Sequence, residues 1–386
     1  VTGLDGRRIY LDWNATAPLR PEARAAMLAA MDVVGNPSSA HAEGRAAKAI
    51  VDKARGQVAA LVGCAPDEVV FTSGATEGAG LVLGGAWDLI ALPYFEHDCI
   101  EAAATRHPAA EVIRIPVDDD GYIPGTDFLS AFLPPADGKS ALLCLQSVNG
   151  ETGIEQNHFN TTFQADQIGY ASLVDCVQYY GKRTTWDDVD RGRGPTFRLL
   201  SAHKLCCPKG IGALVLRPGV EVPAPVIGGG QEMGRRSGTE NVIGIAGFGA
   251  AAEAAGRDLE VGVWDRVAKL RDDLENRLAA AAPDLIVFGK EAPRLPNTSC
   301  FAVPGWAGET QVMQMDLAGF AVSAGSACSS GKASKASRVL LAMGFDDVTA
   351  SSAIRVSMGP TTAEAEVMAF AEAWIEHYRR RKSRAA

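Results

Sequence analysis

The chain has 386 residues, 47% hydrophobic and 22% charged, which are ordinary values for a globular protein and exclude a disordered or fibrous one. Lys and Arg number 37 against 46 Asp and Glu, leaving a net charge of −9 with the acidic residues dispersed, so charge gives no reason to coat nucleic acid or anionic lipid. No run reaches the roughly 18 apolar residues needed to cross a bilayer and the N-terminal stretch lacks an apolar signal core, so a cytoplasmic protein with neither membrane nor nucleic-acid partner is expected.

In chain order, helical periodicity covers Pro21 to Met31 and Ala42 to Val62, and a strand is expected over Glu68 to Thr72 with a helix from Glu77 to Ala86. Further strands are read at Glu111 to Pro116, Ala141 to Val148, Ala171 to Val174 and Ile211 to Leu216. That alternation is the pattern of an α/β protein with a largely parallel sheet. An Ala- and Gly-rich run from Gly247 to Gly256 leads into a long charged helix within Val261 to Ala282, and a domain boundary is placed there. A strand at Ile354 to Met358 and a closing helix from Thr362 to Arg380 follow, and the basic cluster Arg379 to Arg384 reads as a solvated helix end.

Eight cysteines are present without a zinc-like spacing, and most read as small buried hydrophobes in a reducing compartment. The segment Phe71 to Glu77 follows a strand and opens a helix, so it is either an ordinary helix start or a cradle of backbone N–H groups for a phosphate. Lys204 follows the apolar run Arg198-Leu199-Leu200; it is either a surface lysine at a strand end or, if buried, an imine-forming amine. Asp175 ends an apolar strand, as a helix cap or as a carboxylate at the ligand-facing edge of the sheet. An anion cradle, an amine and an acid are the three groups that pyridoxal phosphate requires.

Beside these groups the chain carries Tyr10-Leu11-Asp12-x-Asn14-Ala15-Thr16, Gly35-Asn36-Pro37-Ser38-Ser39-x-His41, Glu96-His97, Asp175-x-x-Gln178, Ser201-x-His203-Lys204, Arg236-Ser237-Gly238-Thr239, Ser323 to Cys328 and Ile354-Arg355-x-Ser357. In these motifs, and in their order over nearly the whole length, it resembles the cysteine desulfurases of the NifS/IscS type, within the class V aminotransferase family of fold-type I pyridoxal-phosphate enzymes. The resemblance implies a large domain with a mostly parallel seven-stranded sheet flanked by helices (15–255), a smaller α/β C-terminal domain carrying the catalytic cysteine loop (256–386), and an N-terminal segment (1–14) packed on the smaller one.

By the same resemblance Lys204 holds the cofactor as an imine, Asp175 pairs with the pyridinium nitrogen, His97 stacks on the ring and shares in proton transfer, and Gln178 bonds the phenolate oxygen. Ala75, Thr76, Ser201 and His203 hold the phosphate, and Thr239 reaches the phosphate of a neighbouring subunit, which makes a homodimer part of the expectation. Arg355, assisted by Asn14, binds the substrate carboxylate. Cys328, set among small residues that suit an exposed loop, takes sulfur from L-cysteine as a persulfide, releases alanine, and passes the sulfur to an acceptor such as an iron-sulfur scaffold protein, with transient contact to a nascent cluster. The chain departs from the family at Gly150, where Asn is usual, at Tyr179-Tyr180, and at the adjacent Cys206 and Cys207, which read as packing rather than redox groups. The rivals are a pyridoxal-phosphate lyase or aminotransferase acting on another amino acid, selenocysteine lyase included, and a non-catalytic sulfur-assembly partner.

Overall fold

A computed structural model describes residues 6–124, 128–183, 194–325 and 336–385 of the chain. The N-terminal strand β1 (Ile9–Tyr10) is followed by α1 (Pro21–Met31), which has proline in its first turn, and by α2 (Ala42–Val62). The His41 ring caps α2 by accepting from Gly44 N at 3.3 Å, and Gly63 ends it in the left-handed region at φ 72°, where a side chain would be strained.

A seven-stranded sheet comes next, built from β2 (Val69–Thr72), β3 (Leu89–Pro93), β4 (Glu111–Ile115), β5 (Ala141–Gln146), β6 (Tyr170–Asp175), β7 (Phe197–Ser201) and β8 (Gly212–Leu216). Its spatial order is β2-β8-β7-β6-β5-β3-β4, and only β8 runs against its neighbours. Strands β2, β3, β5 and β8 are buried at every position, because helices cover both faces, and so they read as unbroken apolar runs. Helices α3 (Ala75–Leu83), α4 (Asp98–Thr105), α5 (Phe128–Phe132) and α6 (His158–Gln167) connect them.

The Ala- and Gly-rich run lies inside a helix, α7 (Val242–Glu260), capped by Asn241, whose side chain accepts from Gly244 N at 3.0 Å. The position taken as a boundary, residue 255, therefore falls within one continuous helix. Small residues there serve close packing: a Cβ at Gly249 would stand 2.5 Å from Ala54 Cα of α2, and one at Gly247 would stand 2.8 Å from Met27 Cγ of α1. The change of core comes after α7. Phe248 and Ala255 belong to the cluster on the large sheet, whereas Trp264 on α8 (Val263–Ala281) belongs to a second cluster with Phe301, Trp306, Phe370 and Trp374.

That second cluster is built on β9 (Ile286–Val287), β10 (Thr298–Ala302), α9 (Gly308–Leu317), β11 (Phe320–Ala321), β12 (Ser323–Ala324), α10 (Arg338–Ala342), α11 (Asp347–Ser351), β13 (Ala353–Ser357) and α12 (Glu364–Ala385). Four of these strands form an antiparallel sheet in the order β12-β13-β10-β9. The N-terminal strand β1 pairs in parallel with β11, and Ile9 and Leu11 are buried in the same cluster as Trp264. No helix among the described residues is long and apolar enough to cross a membrane.

Candidate active site

Parallel strands deliver their last residues to one edge of the large sheet. Asp175 ends β6, beside Gln146 at the end of β5, and is buried with Oδ1 accepting from Val177 N at 2.9 Å. Strand β7 ends at Ser201 and turns at once into a single 3-10 turn, Ala202–Leu205, that carries His203 and Lys204. Cys206 closes the turn in the left-handed region at φ 62°. The side chains of the adjacent pair part there: Cys206 packs with Trp13 and Ala17, Cys207 with the large-sheet core. Burial pushes both thiols up, that of Cys206 to about 11.

His97, just past β3, caps α4, and its Nδ1 accepts from Cys99 N at 3.2 Å. In the neutral ring that bond leaves the proton on Nε2. Arg355 comes from the other sheet, on β13; its Nη2 is 2.7 Å from Asp12 Oδ1, its Nη1 donates to Gly150 O at 3.0 Å, and its Nε is buried with no hydrogen-bond partner among the described residues. One cavity of about 560 Å³ is lined by Asn14, His97, Asp175, Gln178, Lys204 and Arg355.

Asn14 serves that cavity in an unexpected way. Its side chain is taken up by the frame, donating to Gly150 O (3.1 Å) and Thr298 Oγ1 (2.9 Å) and accepting from Asn297 Nδ2 (3.0 Å). What it offers the site is its backbone carbonyl, which accepts from Lys204 Nζ and, at 3.0 Å, from Gln178 Nε2. Lys204 Nζ also donates to Ala15 O at 2.9 Å.

Among the described residues, Ala75, Thr76, Ser201, His203 and Thr239 are not on that lining. Ala75 and Thr76 open α3 behind Gly74, which caps the helix with no side-chain bond and beside which an added Cβ would meet nothing within 4 Å. His203 Nδ1 is 3.1 Å from Thr16 Oγ1, and burial, with Lys204 and Lys209 nearby, lowers its pKa to about 4, so the ring is neutral. Thr239 lines a separate concavity of about 170 Å³ with Thr72, Ser73 and Arg236. Cys328 lies outside the described residues. Gly150 accepts the two bonds named above, and a Cβ there would stand 3.5 Å from Gln178 Nε2, an ordinary contact.

Three ionisable groups near the site were not assigned a role in the sequence. Glu96 is buried with Oε1 accepting from Gln146 N at 2.6 Å, and burial, reinforced by the Asp175 charge, raises its pKa well above the usual carboxylate range. Burial pushes Glu151 up to about 7, against the pull of Ser337, Arg355 and Arg338. Lys182 is brought down to about 7 by burial and then by Lys204. Glu96 adjoins His97 in a motif already singled out, but a lysine four residues past Gln178 carries no sign that it is buried, since lysines are seldom buried.

Asp175 is itself raised by burial and drawn back down by His97 and Lys204, which suits a carboxylate awaiting a cation. An amine, a buried carboxylate, an imidazole and an uncapped helix N-terminus with open space beside it are a donor set for an anionic aromatic aldehyde. The class V aminotransferase family model matches residues 9–370, and the chain belongs to that family. It is 40% identical over 372 residues to the cysteine desulfurase of Cereibacter sphaeroides, covering 93% of each chain. It is 35% identical over 371 residues to that of Klebsiella pneumoniae, covering 94% of this chain and 90% of the other. The solved NifS-like protein of Rickettsia africae superimposes with a TM-score of 0.86 at 29% identity, over 97% of this chain and 100% of that one, so the fold is the fold-type I architecture expected above.

Proposed function

We propose that the chain is a pyridoxal-phosphate-dependent cysteine desulfurase that converts L-cysteine to L-alanine and takes the sulfur onto Cys328. The observation that carries this reading is the convergence of Lys204, Asp175, His97, Gln178 and Arg355 on one cavity. When bound, pyridoxal phosphate supplies an electron sink for the charge that develops at the substrate's Cα. The site's donor set fits that group: the Lys204 amine can bond its aldehyde carbon, and buried Asp175 can hold its ring nitrogen protonated. Gln178 Nε2 can donate to its phenolate oxygen, and the N-terminus of α3 with Ala75, Thr76, Ser201 and neutral His203 can take its phosphate.

The reaction then falls to this chain's own side chains. Arg355, oriented by Asp12 and the Gly150 carbonyl, binds the substrate carboxylate through its guanidinium charge. The freed Lys204 amine moves the Cα proton, and His97 Nε2 carries a proton at the ring face. The Cys328 thiolate attacks the substrate sulfur; the S–Cβ bond breaks, a persulfide forms on Cys328, and a proton is added at Cβ to complete alanine. Atoms balance as cysteine plus thiol giving alanine plus persulfide. Thr239 would complete the phosphate site of a second copy in a homodimer, and an iron-sulfur scaffold protein would accept the sulfur, with the cluster as cargo. The proposed division assigns the cofactor to residues 15–255 and the sulfur-carrying loop to 256–386, with 1–14 packed on the latter. Free thiols at the seven described cysteines fit a reducing, cytoplasmic setting.

The test measures sulfide and alanine released from L-cysteine under reductant. Equal yields are expected from the wild type, with both lost in Cys328→Ala while the visible cofactor band remains. Activity surviving that substitution would instead establish a lyase that does not use Cys328.

A further inference from the structure

Lys182 stands immediately behind the site, and no expected role accounts for it. It is 5% exposed, and its ammonium has no carboxylate partner among the described residues. Its Nζ donates instead to Gln178 Oε1 at 2.5 Å and to Asn14 Oδ1 at 3.5 Å. Lys182 and Lys204 also line a common small cavity of about 20 Å³. Burying an amine against amide oxygens alone is costly for the fold, so its effect is to be sought in what it holds.

An ammonium only donates, so Lys182 decides which end of the Gln178 amide faces it. With Oε1 turned to Lys182, Nε2 is turned to the Asn14 carbonyl, the same oxygen that receives Lys204, and toward position 150. Residue 150 is glycine, so its own position adds no side-chain donor beside Gln178.

We propose that Lys182 is a positioning residue: by donating to Gln178 and Asn14 it fixes Gln178 Nε2 as a side-chain donor at this edge and, in its protonated form, places a positive charge beside Lys204. The proposal rests on the reading of the cavity as a pyridoxal-phosphate site. The charged or titratable groups facing Lys182 are Lys204, Cys206 and Arg355, and Lys204 is faced in addition by Asp175 and His203.

The experiment compares wild type, Lys182→Met and Lys182→Arg for pyridoxal phosphate binding to apoprotein and for the pH titration of the visible band. In Lys182→Met we expect binding at least tenfold weaker and a titration midpoint about one unit higher, because a donor is loosened and a neighbouring positive charge is gone. Thermal stability should be equal or greater, because an apolar group replaces a buried cation. KM for L-cysteine should stay within about twofold while kcat falls, and Lys182→Arg should lie between the two. A folded Lys182→Met with wild-type binding and midpoint overturns the proposal; if that variant does not fold, Lys182→Gln is held to the same two readouts. Wild-type protein that takes up no pyridoxal phosphate overturns the reading of the site and the proposal with it.

Discussion

On the proposed function, Arg355 is a residue prepared for its ligand by its neighbours. Asp12 and the Gly150 carbonyl hold its two terminal nitrogens at 2.7 and 3.0 Å, so the guanidinium is set before substrate arrives and little freedom is lost on binding. Lysine would keep the charge but could not bridge Asp12, Gly150 and a carboxylate from one rigid fork. Arg355→Lys is expected to raise KM for L-cysteine at least tenfold, with pyridoxal phosphate binding unchanged, as initial-rate kinetics and cofactor titration would show. Glu96 and Asp175 make a second point at this scale. Burial, reinforced by the neighbouring Asp175 charge, raises the Glu96 carboxyl well above the usual carboxylate range. Asp175 is raised by burial too, but His97, the Val177 N–H and Lys204 draw it back toward the carboxylate.

Among the elements, the pairing of α2 with α7 depends on the absence of side chains. At Gly249 a new Cβ would meet Ala54 Cα at 2.5 Å and Ala54 Cβ at 2.6 Å, and a neighbouring backbone cannot swing aside as a long side chain can. Alanine gains about 1 kcal/mol of helix propensity over glycine, but forcing two helices apart in a filled core costs about 1–3 kcal/mol. Gly249→Ala should therefore lower stability or leave it unchanged rather than raise it, and urea denaturation would measure the sign. The 3-10 turn after β7 is shaped as locally: Cys206, in a left-handed conformation, closes the turn two residues past Lys204.

For the molecule as a whole, buried ionisable groups set how stability varies with pH. His158 is buried, with Nδ1 3.0 Å from Gln156 O and its ring edge-on to Tyr179, and burial lowers its pKa to about 4 from 6.5. The unfolded chain thus binds more protons than the folded one between these values. Stability falls as pH drops through that window, by about 3 kcal/mol in all from this residue. Glu151 acts with the opposite sign: its pKa is raised to about 7, so the folded form holds the extra proton and stability falls as pH rises from the usual carboxylate range toward 7. His158→Leu should flatten the acid-side loss and Glu151→Gln should steepen it, as unfolding free energies measured from pH 4 to pH 8 would record.

The alternation of helix and strand was legible because its cause is local. Pro21 suits a helix's first turn by its own fixed φ, and a strand covered on both faces must be apolar throughout. The chemistry of the site was legible too, because an amine, an acid and an arginine keep their identities in any setting and stand here in an ordered set of motifs. What the sequence left open depends on neighbours remote along the chain. The Ala- and Gly-rich run became helix α7 because α1 and α2 approach it closely, a fact absent from its own residues. Asn14 proved to be part of the frame because Asn297 and Thr298, 283 and 284 residues away, claim its side chain. Lys182 is buried, and the Glu96 carboxyl raised, only because folding removes water from around them. Local pattern and residue type were thus determined by the sequence alone, whereas burial, and with it each group's charge and partner, was decided by the tertiary structure, since removing water is a property of the packed whole.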